Sequence, residues 1–420
     1  MSKLRDGVTK RGATWSYVIR VPDPETGRSR PKWVGGFATE QAAKAARDEA
    51  RVAARRGEYV DRSALTVREY LAEWLETHEA SVKRGSIAGY RADVERYIVP
   101  RIGGLRLQSL RPAVLSKLYR ELAASGGKPN KRHPDGRPLS ASTVAHVHRT
   151  LRKALTDAVQ VEQLLATNPA ERAKLPRAPR GEPGTIWTLA QLAIFLEQAA
   201  GHRLFAFFRL AAYTGARRGE LLALEWSEVD LDDGVIMLDE STDVIDGERV
   251  TDTTKSGRSR MVSLDAGTVA VLREHRKRQL EERMKAGPAW HETGLVFTAG
   301  DGQAIFPDTV SLLMGKLIRD YNAPAIPGGG RGHKRTPLPP PAETLPPIRL
   351  HDLRHVHATT LLLAGVPVHV VANRLGHADP STTLRVYAHV LREQAAGAAD
   401  VFAQAVEAAE AAAVSKSVSN

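Results

Sequence analysis

The sequence predicts a multidomain chain, mainly α-helical with small β-sheets. Its 420 residues exceed what one ordinary hydrophobic core organises, so two or three domains are expected. Apolar residues make up 42% of the chain and aromatic residues only 5%, which points to cores built from Leu, Val and Ala. Alternating apolar runs occur only in short stretches, whereas apolar residues at helical spacing recur through most of the rest.

Taken in order, Thr14–Val21 (TWSYVIRV) alternates and is rich in aromatic and β-branched residues, so it reads as a strand. Pro22–Arg28 is a turn, and Lys32–Phe37 resumes an extended run. Trp15, Tyr17, Arg20, Arg28, Arg30 and Lys32 are expected to share this sheet. Thr39 is placed to cap a helix that runs to about Arg56, where Gly57 stops it. Leu65–Glu79 carries Val67, Tyr70, Leu71, Trp74 and Leu75 on one helical face, and Ser140–Val161 is a strongly amphipathic helix. Between them Gly126–Pro138 (GGKPNKRHPDGRP) is basic, full of turn residues, and read as a loop. Ala166–Gly184 has repeated Pro and scattered cations, as a linker does. A new helix begins near Thr188. Val235–Leu238, a turn near Asp246–Gly247, and Arg260–Leu264 suggest one short antiparallel sheet. Ala323–Arg349 is Pro/Gly-rich and long for a loop inside a domain. Its GGGRG (Gly328–Gly332) lacks the ending of a phosphate-binding loop.

Net charge is +12, and its placement is uneven. Residues 1–62 carry 14 Lys+Arg against 8 Asp+Glu, and residues 63–170 carry 17 against 10. The remaining 250 carry 29 against 30, so the surplus lies wholly in the first 170 residues. A surplus this concentrated favours an anionic partner, nucleic acid ahead of a membrane surface. No run of about 18 apolar residues and no signal-peptide pattern is present, so no membrane association and a cytoplasmic location are expected. The absence of cysteine excludes disulfides, thiolate metal sites and cysteine nucleophiles in this sequence.

The second half holds the residues that carry chemistry. In TGARRGE (Thr214–Glu220), Gly215 permits a tight turn from which Arg217 projects, and a guanidinium there can fork onto two phosphate oxygens. Glu220 can orient it, although an (i, i+3) ion pair alone would look the same. Lys255 lies in TKSGRSR (Thr254–Arg260), where by itself it reads as a solvated loop lysine. HDLRH (His351–His355) puts His351 and Arg354 on one helix face, and that helix stops at Gly365. His351, His355 and His357 do not form a metal-binding pattern, since no carboxylate ligand accompanies them and Arg354 would oppose a cation. Val368–Leu375 is a short helix ended by Gly376, with His377 next. Tyr387 follows ten residues later in RVYAHV (Arg385–Val390); a lone tyrosine there would be a core residue.

In order and spacing these frames resemble the tyrosine recombinases, the phage-integrase family. The resemblance covers about Thr188 to Val390 closely, and residues 1–170 more loosely. It implies an α/β arm-binding domain over 1–62, a helical core-binding domain over 63–168, a linker over 169–184, a mostly helical catalytic domain with a small antiparallel sheet over 185–396, and a C-terminal helix and tail over 397–420. It also implies the roles. Tyr387 is the nucleophile, Arg217, Arg354 and His377 stabilise the transition state, Lys255 protonates the leaving 5′ oxygen, and His351 is the base. No cofactor or metal is called for. The implied partners are double-stranded DNA attachment sites of core and arm type, a homotetramer on DNA, and DNA-bending and directionality factors, within a bacterial host. The Pro/Gly-rich Ala323–Arg349 departs from the family pattern. Type IB topoisomerases use nearly the same residues, and a catalytically silent DNA-binding regulator could share the fold. The arm-like front segment and the intact Tyr387 and Lys255 argue against these two. In the tail, Ala398, Val401, Phe402 and Ala405 form one apolar stripe that the resemblance would send to a neighbouring protomer.

Overall fold

The computed structural model describes residues 7–22, 28–55, 59–177, 186–253, 259–323 and 343–377, with short pieces at 379–381, 383–384, 402–404 and 406–407. The chain divides into two compact units, Met1–Gly181 and Glu182–Asn420.

The first unit holds two cores. Strands β1 (Val8–Arg11), β2 (Thr14–Pro22) and β3 (Ser29–Phe37) form an antiparallel sheet in that order. Helix α1 (Glu40–Arg55) packs on it, with Thr39 Oγ1 accepting from the Ala42 amide. Strand alternation sorts the residues expected to share the sheet. Tyr17, Ile19 and Val21 join Ala43 and Ala50 in the core, with Trp15 packed against them. Arg20 stays exposed, as do Arg11 and Trp33, whose cation–π contact spans 4.0 Å. Lys32 pairs instead with Asp61 at 2.7 Å.

The second core belongs to α2 (Val67–Glu79), α3 (Arg84–Asp93), α4 (Val99–Ile102), α5 (Pro112–Ser125) and α6 (Ala141–Gln160). Thr66 and Glu69 cap α2 reciprocally, and Ser140 caps α6. Buried Trp74 and Tyr70 keep their polar tips bonded, to Asp157 at 2.8 Å and to the Ala154 carbonyl at 2.6 Å. The chain widens to a π turn over Val94–Ile98, just ahead of Pro100, which has no amide to continue the ladder. The basic stretch 126–138 is irregular but cross-bonded: the Gly127 amide donates to Arg137, and Asn130 Oδ1 accepts from the Arg132 and His133 amides. Packing continues past residue 168. Ala170 is fully buried, Asn168 donates to the Arg152 carbonyl, and the Lys174 amide donates to Ser116.

In the second unit, α7 (Leu189–Ala199) starts at a Thr188–Gln191 capping box. It is followed by α8 (Phe205–Thr214) and α9 (Arg218–Ala223). The single sheet expected here is two separate ones. Strands β4 (Val229–Asp230), β5 (Val235–Leu238) and β8 (Arg260–Ser263) form one antiparallel sheet in the order β4-β5-β8. Between β5 and β8 the chain inserts a self-paired hairpin, β6 (Glu240–Ile245) and β7 (Glu248–Thr253). Its turn, Asp246–Gly247, has both residues at positive φ, the geometry that matches a two-residue hairpin loop to strand twist. The hairpin can therefore close on itself without joining the other sheet. Helices α10 (Ala266–Ala286), α11 (Pro307–Asn322), α12 (Asp352–Leu363) and α13 (Val368–Leu375) complete the unit. Phe195, Phe207, Phe208 and Phe297 pack edge to face at its centre. Asn322 brackets the backbone of buried Leu345, so residues 343–349 return the chain to α12. No helix among the described residues is long and apolar enough to cross a membrane. Lys255, the Gly328–Gly332 run, Tyr387 and most of the tail lie outside the described residues; of the apolar stripe only Phe402 is described, and it is exposed.

Candidate active site

The site forms where α8 ends. Gly215 closes that helix in the left-handed region, at φ +65°. A side chain there would be strained, and its Cβ would meet Leu375 Cδ2 at 2.7 Å and the His357 ring at 2.9 Å. This turn throws Arg217 to the start of α9. Glu220, whose side chain is fully buried, accepts from the Arg217 amide at 2.8 Å and from Arg217 Nη1 at 2.7 Å. The (i, i+3) pair expected from sequence is thus made, and it aims the guanidinium. The same carboxylate receives both terminal nitrogens of Arg260, at 3.0 and 2.7 Å.

Helix α12 delivers Arg354 to the same turn. Arg354 is 4% exposed, and its Nη1 donates to the Gly215 carbonyl at 2.8 Å. His351 stands at the N-cap of α12, with its ring edge-on to His355 at 5.3 Å. Although His351 presents exposed surface, packing around the ring strips water from its charged form; the charges of His355 and Arg354 add to this, and its pKa falls to about 4.

Helix α13 closes the third side. Gly376 ends it at φ +71°, and its carbonyl lies 3.5 Å from Arg217 Nη2. His377 follows, with Nδ1 2.7 Å from the Oγ1 of Thr383, a fully buried residue. Burial first, then the charges of Arg354, Arg217 and Arg260, push His377 to about 4. Both histidines are therefore neutral near pH 7, and arginine side chains flank them. An anion placed here would meet guanidinium donors and imidazoles able to accept or share a proton.

Arg217, His351, Arg354 and His377 thus converge from three segments of the chain. Lys255 and Tyr387 lie outside the described residues. Three further residues that the sequence did not single out, Arg260, Arg374 and Thr383, are woven into the site. Arg260 sat within the frame that framed Lys255, and only its burial marks it. Arg374 donates to the carbonyls of Tyr213 and Ser263 and to His357, locking α13 against α8 and β8. Thr383 carried no sequence signal beyond its place after His377.

Comparison with known proteins gives this arrangement a context. Residues 188–394 match the phage integrase family, residues 8–52 an arm DNA-binding domain, and residues 66–123 the N-terminal SAM-like domain of phage integrases. A XerC-like tyrosine recombinase of Caldanaerobacter subterraneus subsp. tengcongensis is 29% identical over 95% of this chain and 98% of its own length. An integrase of Streptomyces ambofaciens is 26% identical over 79% of this chain and 78% of its own. Among solved structures, the Tn1549 transposon integrase in complex with circular intermediate DNA covers 77% of this chain and 95% of its own, at 20% identity and a TM-score of 0.61. A lambda integrase tetramer bound to a Holliday junction covers 92% and 96%, at 14% identity and a TM-score of 0.52. These two likenesses concern the fold. From the family matches along its length, the chain belongs to the phage-integrase family and is a tyrosine-type site-specific recombinase.

Proposed function

We propose that this recombinase is an integrase that cuts and rejoins duplex DNA through a 3′-phosphotyrosyl link made by Tyr387. The Tyr387 oxygen attacks the scissile phosphorus, and its proton passes to His351, whose depressed pKa leaves the imidazole free to accept it. Arg217 and Arg354 hold the charge that builds on the non-bridging oxygens, and His377 adds a hydrogen bond. The bond to the 5′ oxygen breaks, and Lys255 supplies that oxygen's proton. A 5′ hydroxyl from a second strand reverses the step. One phosphodiester is exchanged for another, so the reaction balances without an external energy source. The observation that carries the reading is the convergence of Arg217, Arg354 and His377 on the Gly215 and Gly376 turns, with the histidines neutral.

The basic first 170 residues support duplex DNA as the substrate, gripped by the helical domain at core-type sites and by the front sheet at arm-type sites. Exposed Arg11, Arg20 and Trp33 are the sheet's candidates for that contact. A tetramer on DNA, DNA-bending and directionality factors, mobile-element DNA as cargo and a bacterial cytoplasmic location belong to the same reading. The test is a nicked suicide duplex that traps the covalent intermediate. Tyr387→Phe is expected to bind this DNA as the parent does and to form no adduct. An adduct at parental yield would sink the assignment.

A further inference from the structure

We propose that Arg260 is a positioning residue that neutralises Glu220 and so leaves the positive charge of Arg217 available to the reacting phosphate. The proposal rests on the reading of Arg217 given above. Three charged groups meet in a small volume: the carboxylate of Glu220 and the guanidiniums of Arg260 and Arg217. Their side chains are 0%, 7% and 25% exposed, in that order. Arg260 is spent inward. Two of its nitrogens take the two oxygens of Glu220, and Nε donates to the Arg374 carbonyl at 3.0 Å. Three of its five N–H donors are committed inward, and the side chain is only 7% exposed. Among the described residues Arg217 makes one short side-chain bond, to Glu220 Oε1, and it is the more open of the two arginines. The turn at Gly376 is shaped around the same group, since a Cβ there would lie 2.6 Å from Arg260 Nη1.

The physical reason lies in charge balance at low dielectric. Burial alone would push Glu220 up, yet the hydrogen bonds and charge of Arg260, with the charge of Arg217, hold it below its ordinary value. It is therefore an anion beside a group that must attract an anion. The carboxylate cannot simply be dispensed with, because it also accepts the Arg217 amide and shapes the start of α9. With Arg260 present the trio carries one net positive charge, held on its most open member, Arg217. Without it, Arg217 becomes the sole counter-ion of a buried carboxylate, and its charge is cancelled before the phosphate arrives.

The test uses the full chain in single-turnover cleavage of the nicked suicide duplex, with affinity for the same duplex measured in parallel. Arg260→Met should slow cleavage about 10²-fold, the scale expected when one transition-state donor is lost, and change affinity little. Arg260→Lys, which keeps the charge and loses the fork, should stay within about tenfold of the parent. The double variant Glu220→Gln, Arg260→Met restores the net charge and should cleave at least about tenfold faster than Arg260→Met. Parental cleavage by Arg260→Met overturns the proposal. So does a double variant no faster than the single one, or a lysine variant as slow as methionine; these would mark Arg260 as a purely structural fork. If Arg260→Met shows no cooperative thermal transition, the lysine and double variants decide alone, each required to cleave within about tenfold of the parent. If the parent forms no adduct, or Arg217→Ala cleaves as fast as the parent, the reading of Arg217 itself has failed. If those controls hold and the Arg260 series disagrees, only this inference falls.

Discussion

Thr383 is fully buried six residues after His377, with its hydroxyl 2.7 Å from His377 Nδ1. When that hydroxyl donates to Nδ1, the ring proton sits on Nε2, the nitrogen that the proposed function assigns to the phosphate. The neutral state of His377 makes this choice of tautomer matter, because a doubly protonated ring would donate from both nitrogens regardless. Thr383→Val should therefore leave DNA binding intact and slow cleavage roughly five- to tenfold, the worth of about one net hydrogen bond. Thr383→Ser, which keeps the hydroxyl, should cleave near the parental rate. A valine variant with parental cleavage would show that another group orients His377.

At the scale of elements, the site is a junction of two helix ends, those of α8 and α13, and two helix starts, those of α9 and α12. Both ends, Gly215 and Gly376, are left-handed caps. The α8 cap is tied to α12 by Arg354 and pressed by Leu375 of α13 and His357 of α12. Gly215→Ala would meet two penalties: left-handed backbone with a Cβ, about 1–2 kcal/mol, and overpacking against those side chains, about 1–3 kcal/mol. The expected outcome is a lower melting temperature for the catalytic unit and reduced cleavage, since the Gly215 carbonyl that holds Arg354 must shift. Thermal unfolding and adduct formation measure the two effects. An unchanged melting temperature would mean that the turn relaxes freely and does not fix the site.

Across the whole molecule, the buried histidines link stability to pH. His275, His351, His357 and His377 are each pushed to about 4, by burial first. His275 illustrates the cause: Nε2 lies 2.8 Å from the Val296 carbonyl and Nδ1 accepts from Arg278, an arrangement that suits the neutral ring. Above the ordinary imidazole value of 6.5, folded and unfolded chains are both neutral at these positions, and their contribution is fully present. As pH falls from about 6.5 toward 4, the unfolded chain takes up protons that the fold refuses, so stability is lost. Glu228, Asp93 and Glu162 work the other way, because burial raises each of them, Glu228 to about 7; against them stand these four histidines and His148, His202 and His355, which burial also lowers. The melting temperature should be level from pH 7 to 8 and decline steadily between 6.5 and 4.5. A level profile through that lower window would show that these histidines titrate normally in the fold.

Much of this architecture is local information, which is why it was legible. The Thr39 cap of α1, the Asp246–Gly247 turn, the tight turn at Gly215 and the glycine stops after α12 and α13 are all set by residues within a few positions of each other. So is the order of the frames around Arg217, Lys255, His351, Arg354, His377 and Tyr387, which was enough to suggest the family. What required the tertiary structure was every interaction across long sequence separations. Splitting one expected sheet into two depended on β5 choosing β8 as its partner rather than the nearer β6. The sorting of Tyr17 into a core and Arg20 out of it depended on which face α1 covers. The roles of Arg260, Arg374 and Thr383 depended on burial, because an arginine in a basic loop looks like a solvated cation until it is found enclosed with Glu220. Spacing along the chain pointed to the family and its chemistry; tertiary packing decided which charged groups are enclosed and paired and which stay open, because those partners lie far apart in sequence.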